Sequence, residues 1–173
     1  MTITVVEPAD FNGYSSYIDL FQRRMQDSGK EERASFSEEQ EAGKKDIRRF
    51  IAMNDSGMVV GWMIVKIQPE DVKIEGICTD PDKSNSAGAA KALVEKAVNC
   101  SMALGKGGTV TLFNFSKGTG DRFYAYMGFK YITEDGEQMR LEINSTDWDI
   151  RPTGETVETK RGKFLPVVEH YLK

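Results

Sequence analysis

The stretch from Ile77 to Leu93 is the part of the sequence best suited to binding a ligand. It predicts a strand that ends at Thr79, a polar turn, and a helix whose first turn is rich in Gly, Ala and Ser. A helix start presents unbonded N–H groups, and the helix dipole favours negative charge there. Small side chains would let a phosphorylated ligand approach the backbone closely. The pattern favours an anion site, although a small-residue helix packed on a sheet has the same composition.

A second stretch, from Asp121 to Tyr131, places a phenol on a short helix. Its residues predict an aromatic helix that stops at Gly128, with Phe129 leading into a strand. Aromatic residues in such places are most often core residues. A tyrosine beside a leaving group can also donate a proton. Tyr124 is therefore a candidate acid, with packing as its alternative role.

The order of these two stretches resembles that of the GNAT N-acetyltransferase superfamily, over roughly Ile3 to Ile143. The family's acetyl-CoA loop has the form Gln/Arg-x-x-Gly-x-Gly/Ala, and Asn-Ser-Ala-Gly-Ala-Ala at 85–90 stands in that place. The family's later signature, a tyrosine four residues before Gly-Phe, is matched by Tyr124 and Gly128-Phe129. Asn85 departs from the usual Gln or Arg, which shortens one side-chain contact to the diphosphate or leaves it uncharged.

The resemblance implies an α/β domain with the GNAT fold, in which a mixed, mostly antiparallel sheet carries helices on both faces. It implies acetyl-CoA as cosubstrate and transfer of its acetyl group to a primary amine by direct attack. The acceptor would be a small molecule or a protein, and no motif identifies it. Two alternatives stay open. One is a non-catalytic module of the same fold that binds acyl-CoA, and the other is an interaction protein that acts through a partner or as a homodimer.

The resemblance also implies roles for individual residues. Tyr124 would protonate the departing thiolate, and Glu75, on the strand that leads into the loop, would take the proton of the amine. Neutralising a lysine-like amine at pH 7 costs about 4.6 kcal/mol, so a base is needed. A solvent-facing strand residue is the alternative for Glu75.

On the cofactor side, backbone N–H groups of the strand would polarise the thioester carbonyl, and the loop would bind the diphosphate. The family's usual asparagine before the tyrosine is replaced by Lys117, and Asn114 lies earlier on the strand. The side chain of Cys78 is expected in the core, because no histidine lies near it in sequence. The implied cofactor-binding residues are Ile77, Cys78, Thr79, Asn85, Ser86, Ala87, Gly88, Ala89, Ala90 and Asn114.

Composition argues against several classes of function. The chain has 173 residues and a net charge of −4, which fits one ordinary domain and argues against non-specific nucleic-acid binding. Two cysteines and one histidine cannot supply a four-ligand zinc site, so no metal is expected. The longest apolar runs are far too short to span a membrane, and the first residues lack a signal peptide. We therefore expect a cytoplasmic protein that contacts no membrane.

The hydrophobic periodicity predicts the elements that position these residues. Apolar residues at steps of three and four from Tyr14 to Met25 predict a helix after a short first strand. The remaining elements are three antiparallel strands at 48–53, 58–67 and 72–79, a helix at 86–102, a strand at 109–115, a helix at 121–127, and strands at 130–134 and 138–143. We expect residues 1–145 to form the acetyltransferase domain. Residues 146–173 would be an extension that docks on it or contacts a partner.

Overall fold

The structure, a computed structural model, describes residues 2–8, 15–27, 45–114, 120–134, 136–144 and 146–173. Tyr14, where the predicted helical repeat begins, and Lys117, at the place of the family's usual asparagine, lie outside these ranges. The helices are α1 (Ser15–Asp27), α2 (Lys83–Ser86), α3 (Ala89–Ala103) and α4 (Asp121–Met127). Within the described ranges, no helix has both the length and the apolar character needed to cross a bilayer.

Seven strands form the main sheet, in the order β1-β2-β3-β4-β5-β7-β6. They are β1 (Thr4–Val6), β2 (Ile47–Met53), β3 (Val59–Ile67), β4 (Val72–Thr79), β5 (Val110–Phe113), β6 (Phe129–Tyr131) and β7 (Gln138–Leu141). Every neighbouring pair is antiparallel except β4 and β5, which are parallel and are joined through α3. The predicted mixed, mostly antiparallel sheet is confirmed.

Alternating side chains give this sheet two buried faces. On one face, Leu93 of α3 packs against strand residues that include Phe50, and α4 contributes to the same core. On the other face, Phe21 and Met25 of α1 pack against Trp62. Phe21 and Met25 are fully buried, as their spacing predicted. The prediction of helices on both faces is confirmed.

The C-terminal extension forms a two-stranded antiparallel sheet of its own, with β8 at Trp148–Glu158 and β9 at Phe164–Leu172. We call these two strands the C-terminal hairpin. The sequence predicted an extension here but not its strands. At the base of the hairpin, Trp148 and Leu172 join the main core.

Two side chains of α3 fasten this base. Asn99 donates to the carbonyl of His170 (3.1 Å) and accepts from its N–H (2.7 Å). The Glu95 carboxylate accepts from the N–H of Leu172 (3.1 Å). Residues 95 and 99 are one helical turn apart, so they lie on one face of α3 and reach alternate residues of β9. The outer part of the hairpin exposes Ile150, Val157, Phe164, Leu165 and Val168.

Candidate active site

The parallel strands β4 and β5 separate part-way along their length. They pair only from Val72–Val110 to Ile74–Leu112, although β4 continues to Thr79. The ladder between β4 and β3 skips Glu75, which marks a β-bulge that bends β4 at this point. Within the described chain, backbone groups beyond Ile74 that face β5 therefore have no strand to pair with. A ligand with amide groups could take the place of a strand here.

The three strand residues expected at the thioester lie on this separated part of β4. Ile77, Cys78 and Thr79 pair with β3 on one side and border the opening on the other. The side chain of Cys78 is buried in the core between the sheet and α1, as the sequence predicted. The prediction that their backbone N–H groups polarise a carbonyl stays a prediction.

The loop after β4 begins at a buried carboxylate. Asp80 is 3% exposed, and its Oδ2 accepts from Nε of Arg24 (3.1 Å) while its Oδ1 accepts from the N–H of Asp82 (2.9 Å). Arg24 also donates to the carbonyl of Val59. These bonds tie α1 to the start of β3 and to the start of the loop after β4. Sequence reasoning missed this pair, because nothing local joins residues so far apart in the chain.

Asp82 organises the next turn. Its carboxylate accepts from the N–H (3.0 Å) and the hydroxyl (2.6 Å) of Ser84 and from the amide of Asn85 (3.3 Å). The hydrogen bonds from Ser84 lower the pKa of Asp82. Ser86 is buried and donates to the carbonyl of Asp80 (2.6 Å). The side chains of Asn85 and Ser86 therefore hold the loop in shape.

The predicted single helix from Ser86 is wrong at its start. The chain leaves α2 at Ala87, turns through Gly88 with φ = +86°, and begins α3 at Ala89. Only glycine adopts that φ without strain. Among the residues that the structure describes, no side chain caps the N-terminus of α3, and Ala87 and Gly88 are exposed. Ala90, in the first turn, is half-buried, so small residues surround an open helix start.

Asn114, just after β5, is buried in a polar cluster. Its amide donates to Oδ1 of Asp121 (2.6 Å) and lies 3.3 Å from the Tyr131 hydroxyl. That hydroxyl also donates to Asp121 (2.6 Å), and this bond raises the pKa of Tyr131. The cluster fixes the start of α4 against the end of β5.

Tyr124 is half-buried on α4. Its ring packs edge-on against Phe129 (5.6 Å between centroids) and at a tilt against Phe123 (5.4 Å). A Cβ at Gly120 would lie 2.8 Å from Cε2 of Tyr124 and 3.7 Å from Oδ1 of Asn114. Glycine at 120 thus lets the ring approach, and the structure brings Tyr124 and Asn114 to the same place.

Glu75 lies at the bulge, with its carboxylate 3.4 Å from Nζ of Lys73. Nζ of Lys73 also lies 4.6 Å from the ring centroid of Phe113. The side chain of Glu75 is 36% exposed. Glu75 is therefore open to solvent, as expected for a solvent-facing strand residue. It also lies beside the gap between β4 and β5, where a base for the reaction would be needed.

Solved structures share this architecture. A GNAT-family acetyltransferase from Staphylococcus aureus Mu50 aligns with a TM-score of 0.62 at 14% identity, over 83% of this chain and 100% of its own. The PaiA N-acetyltransferase from Thermoplasma acidophilum, solved with coenzyme A, aligns with a TM-score of 0.61 at 17% identity, over 83% and 100%. The ribosomal-protein-S18-alanine N-acetyltransferase from Escherichia coli gives 0.56 at 18%, over 83% and 97%. The chain has the GNAT fold.

At these identities the alignments show the GNAT fold alone. No sequence-family model matches the chain. No curated protein matches it either.

Within the GNAT fold, the residues expected from the sequence fall into two groups. The separated part of β4 leads through the turn at Asp80 and Asp82 to residues 85–90, whereas Asn114 and Tyr124 lie close together where β5 gives way to α4. Sequence reasoning missed Asp80, Asp82 and the contacts of Lys73. A carboxylate followed two residues later by Ser84 is typical of a side chain that bonds the backbone just after it, and this pattern could have identified Asp82 as the cap of a short helix. The pair Lys73 and Glu75 could have been found from strand alternation.

Proposed function

We propose that this protein is an acetyl-CoA-dependent N-acetyltransferase that acts on a primary amine. One observation carries the proposal: β4 parts from its parallel neighbour after Ile74, and the chain then leads through α2 to the open start of α3. The unpaired edge of β4 suits an extended ligand that carries amide groups and ends in a thiol, because its amides can form hydrogen bonds with the free strand backbone. The start of α3 suits a diphosphate, because the unbonded N–H groups at a helix N-terminus bind anions. Coenzyme A contains both parts in this order.

On the cofactor side, the backbone from Ala87 to Ala90 would bind the diphosphate. Lys83 and Lys91, at the beginnings of α2 and α3, would add positive charge. Asn85 would act indirectly in this scheme, since its amide already bonds to Asp82. Backbone N–H groups of residues 77–79 would polarise the carbonyl of the thioester.

In the reaction, the neutral amine attacks the thioester carbonyl, a C–N bond forms, and the C–S bond breaks. Glu75 would take the proton that the ammonium loses, which offsets part of the about 4.6 kcal/mol cost at pH 7. Tyr124 would give a proton to the departing thiolate, and the proton that the nitrogen loses as the amide forms would restore the phenol. A thiol has an ordinary pKa near 8.5, so this step needs only modest help.

A non-catalytic module that binds acyl-CoA is the second candidate. Two contacts favour it: Glu75 is already ion-paired with Lys73, and Asn85 is bonded to Asp82. These contacts engage the Glu75 carboxylate, which an enzyme would use as the base, and the Asn85 amide, which it would use to bind the diphosphate.

Thermal unfolding with acetyl-CoA tests cofactor binding. At a hundred times Kd, binding contributes about 2.7 kcal/mol, which raises the Tm of a domain of this size by about 5–10 °C. Gly88→Ala should abolish the rise, because it strains the helix start. Gly57→Ala is the matched control, since Gly57 also has positive φ (+73°) and nothing near its Cβ, but lies in another turn. No rise for the wild-type protein contradicts both candidates.

Release of free thiol from acetyl-CoA over a panel of amines then separates the enzyme from the binding module. Tyr124→Phe should lower kcat about a hundredfold or more and leave the acetyl-CoA shift unchanged. Tyr126→Phe, on the same helix and 60% exposed, is the control. Equal turnover in all three proteins would exclude the acid role. An unchanged pH profile in Glu75→Gln would remove Glu75 as the base.

A further inference from the structure

On the face of the sheet opposite α3, beside the point where β4 and β5 separate, Glu75 and Phe113 both contact the ammonium of Lys73. Ile74 belongs to the α3-side core, so its neighbour Lys73 lies on the other face, and the ion pair with Lys73 places the Glu75 carboxylate there as well. Lys73 pairs with Thr111, which places Phe113 two residues farther along β5, on the same face. Nζ of Lys73 lies 3.4 Å from the Glu75 carboxylate and 4.6 Å from the Phe113 ring centroid.

A carboxylate and an aromatic face are two groups by which proteins bind an ammonium ion. Here the ammonium is the chain's own. The side chain of Lys73 is 21% exposed, and its ammonium contacts both the Glu75 carboxylate and the Phe113 ring. The neighbouring strand adds a reason for this conformation, because Lys66 lies directly opposite Lys73 and repels it.

We propose that the acceptor of this protein is a primary amine on an unbranched alkyl chain, and that Lys73 occupies its binding position as an internal stand-in. The ammonium of the acceptor would displace that of Lys73 and lie between Glu75 and Phe113. Displacement is easy, because an ion pair of this exposure contributes little and the lysine stem has several rotatable bonds. The inference rests on the proposed function for the identity of the reaction, but the cation site is defined by its own contacts.

Competition by Lys73 lowers the apparent affinity for the acceptor, since only the fraction of molecules with an empty site can bind it. Removing the side chain of Lys73 should therefore increase the affinity for the acceptor and leave space for an alkyl chain of the same length. The n-butylammonium ion reproduces the lysine side chain from Cβ outward. It is the probe of choice, and 1-butanol is its neutral analogue.

The test is an NMR titration of n-butylammonium into the full chain without acetyl-CoA. Lys73→Ala should bind it about fivefold more tightly than the wild-type protein, and the double variant Lys73→Ala/Glu75→Gln should lose that gain. Lys66→Ala is the matched control, because it removes the same charge from the same cross-strand row and should bind no more tightly than wild type. 1-Butanol should not bind preferentially to Lys73→Ala.

Equal affinities of Lys73→Ala and Lys66→Ala would overturn the proposal, because the gain would then reflect overall charge. A gain that survives Glu75→Gln, or that 1-butanol shares, would overturn it as well. These outcomes are independent of the acetyl-CoA shift. If acetyl-CoA binds and is turned over while Lys73→Ala changes nothing, the stand-in is wrong and the enzyme remains. If n-butylammonium binds as expected while acetyl-CoA does not, the cation site remains and the acetyltransferase is wrong.

Discussion

The main sheet and the C-terminal hairpin are both built from strands with apolar residues, yet they bury those residues very differently. Phe50 in β2 is fully buried, because α3 covers its face of the sheet. Phe164 in β9 is 67% exposed. Only the base of the hairpin reaches the core, through Trp148 and Leu172. Strand sequence alone therefore does not decide burial; a second layer must be present to cover the strand.

The largest expected effect contrasts these two phenylalanines. Phe50→Ala should lower the free energy of unfolding by about 3–5 kcal/mol, because it removes buried apolar surface and leaves a cavity. Phe164→Ala should change it by less than about 0.5 kcal/mol, because its ring is already in solvent. Chemical denaturation of the two variants measures both values. Similar losses would mean that the outer hairpin is covered in solution.

A smaller effect is expected where the two regions join. Asn99→Ala leaves the N–H and carbonyl of His170 without their partners, at a cost of about 1–3 kcal/mol to the docked hairpin. Hydrogen exchange at the His170 amide should accelerate about tenfold or more. Exchange in β3 should change much less, since the main sheet does not depend on this contact. Leu104→Ala, at the exposed end of α3, is the control and should leave exchange at His170 unchanged.

The smallest effect concerns pH. Burial raises the pKa of Glu95, against the opposing hydrogen bond from Leu172, so the folded protein holds this proton to higher pH than the unfolded chain does. The stability that Glu95 contributes is therefore greatest at low pH and is lost as pH rises through its raised pKa. Glu95→Gln keeps an oxygen for the Leu172 N–H and cannot ionise. It should raise Tm by about 1–2 °C at pH 7, and the two Tm values should converge below pH 4.5.

A Tm difference that stays constant from pH 4 to pH 8 would contradict this assignment of Glu95. A difference that grows toward low pH would contradict its sign.

Much of the main sheet could be predicted from sequence, because its strands and helices carry clear periodicities. Phe21 and Met25 repeat at helical spacing, and the turn around Asn54 separates two strands that pair as predicted. The hairpin was not predicted, because Pro152 and Pro166 interrupt its strands and proline in such a run argues against a strand. Its mostly exposed residues supply no alternation of buried and exposed positions that would outweigh the prolines.

The candidate site was predictable in outline only. The run of small residues at 85–90 indicated an open helix start, and Gly88 provides it. The short helix α2 begins at a cap made by Asp82, whose bonds form within the turn itself. The Arg24–Asp80 pair joins separate parts of the chain, and only the folded arrangement of α1 over β3 creates it. Such contacts depend on tertiary structure and have no local signal.

The attachment of the hairpin has a consequence for how the surface of this protein can vary. Glu95 and Asn99 form hydrogen bonds to main-chain groups of β9. These bonds do not depend on which side chains that strand carries. A strand that keeps Trp148 and Leu172 would keep both the core contact and these main-chain bonds. The exposed residues of the outer hairpin can therefore be substituted without changing how the hairpin is attached. The fold of the domain beneath it does not depend on them.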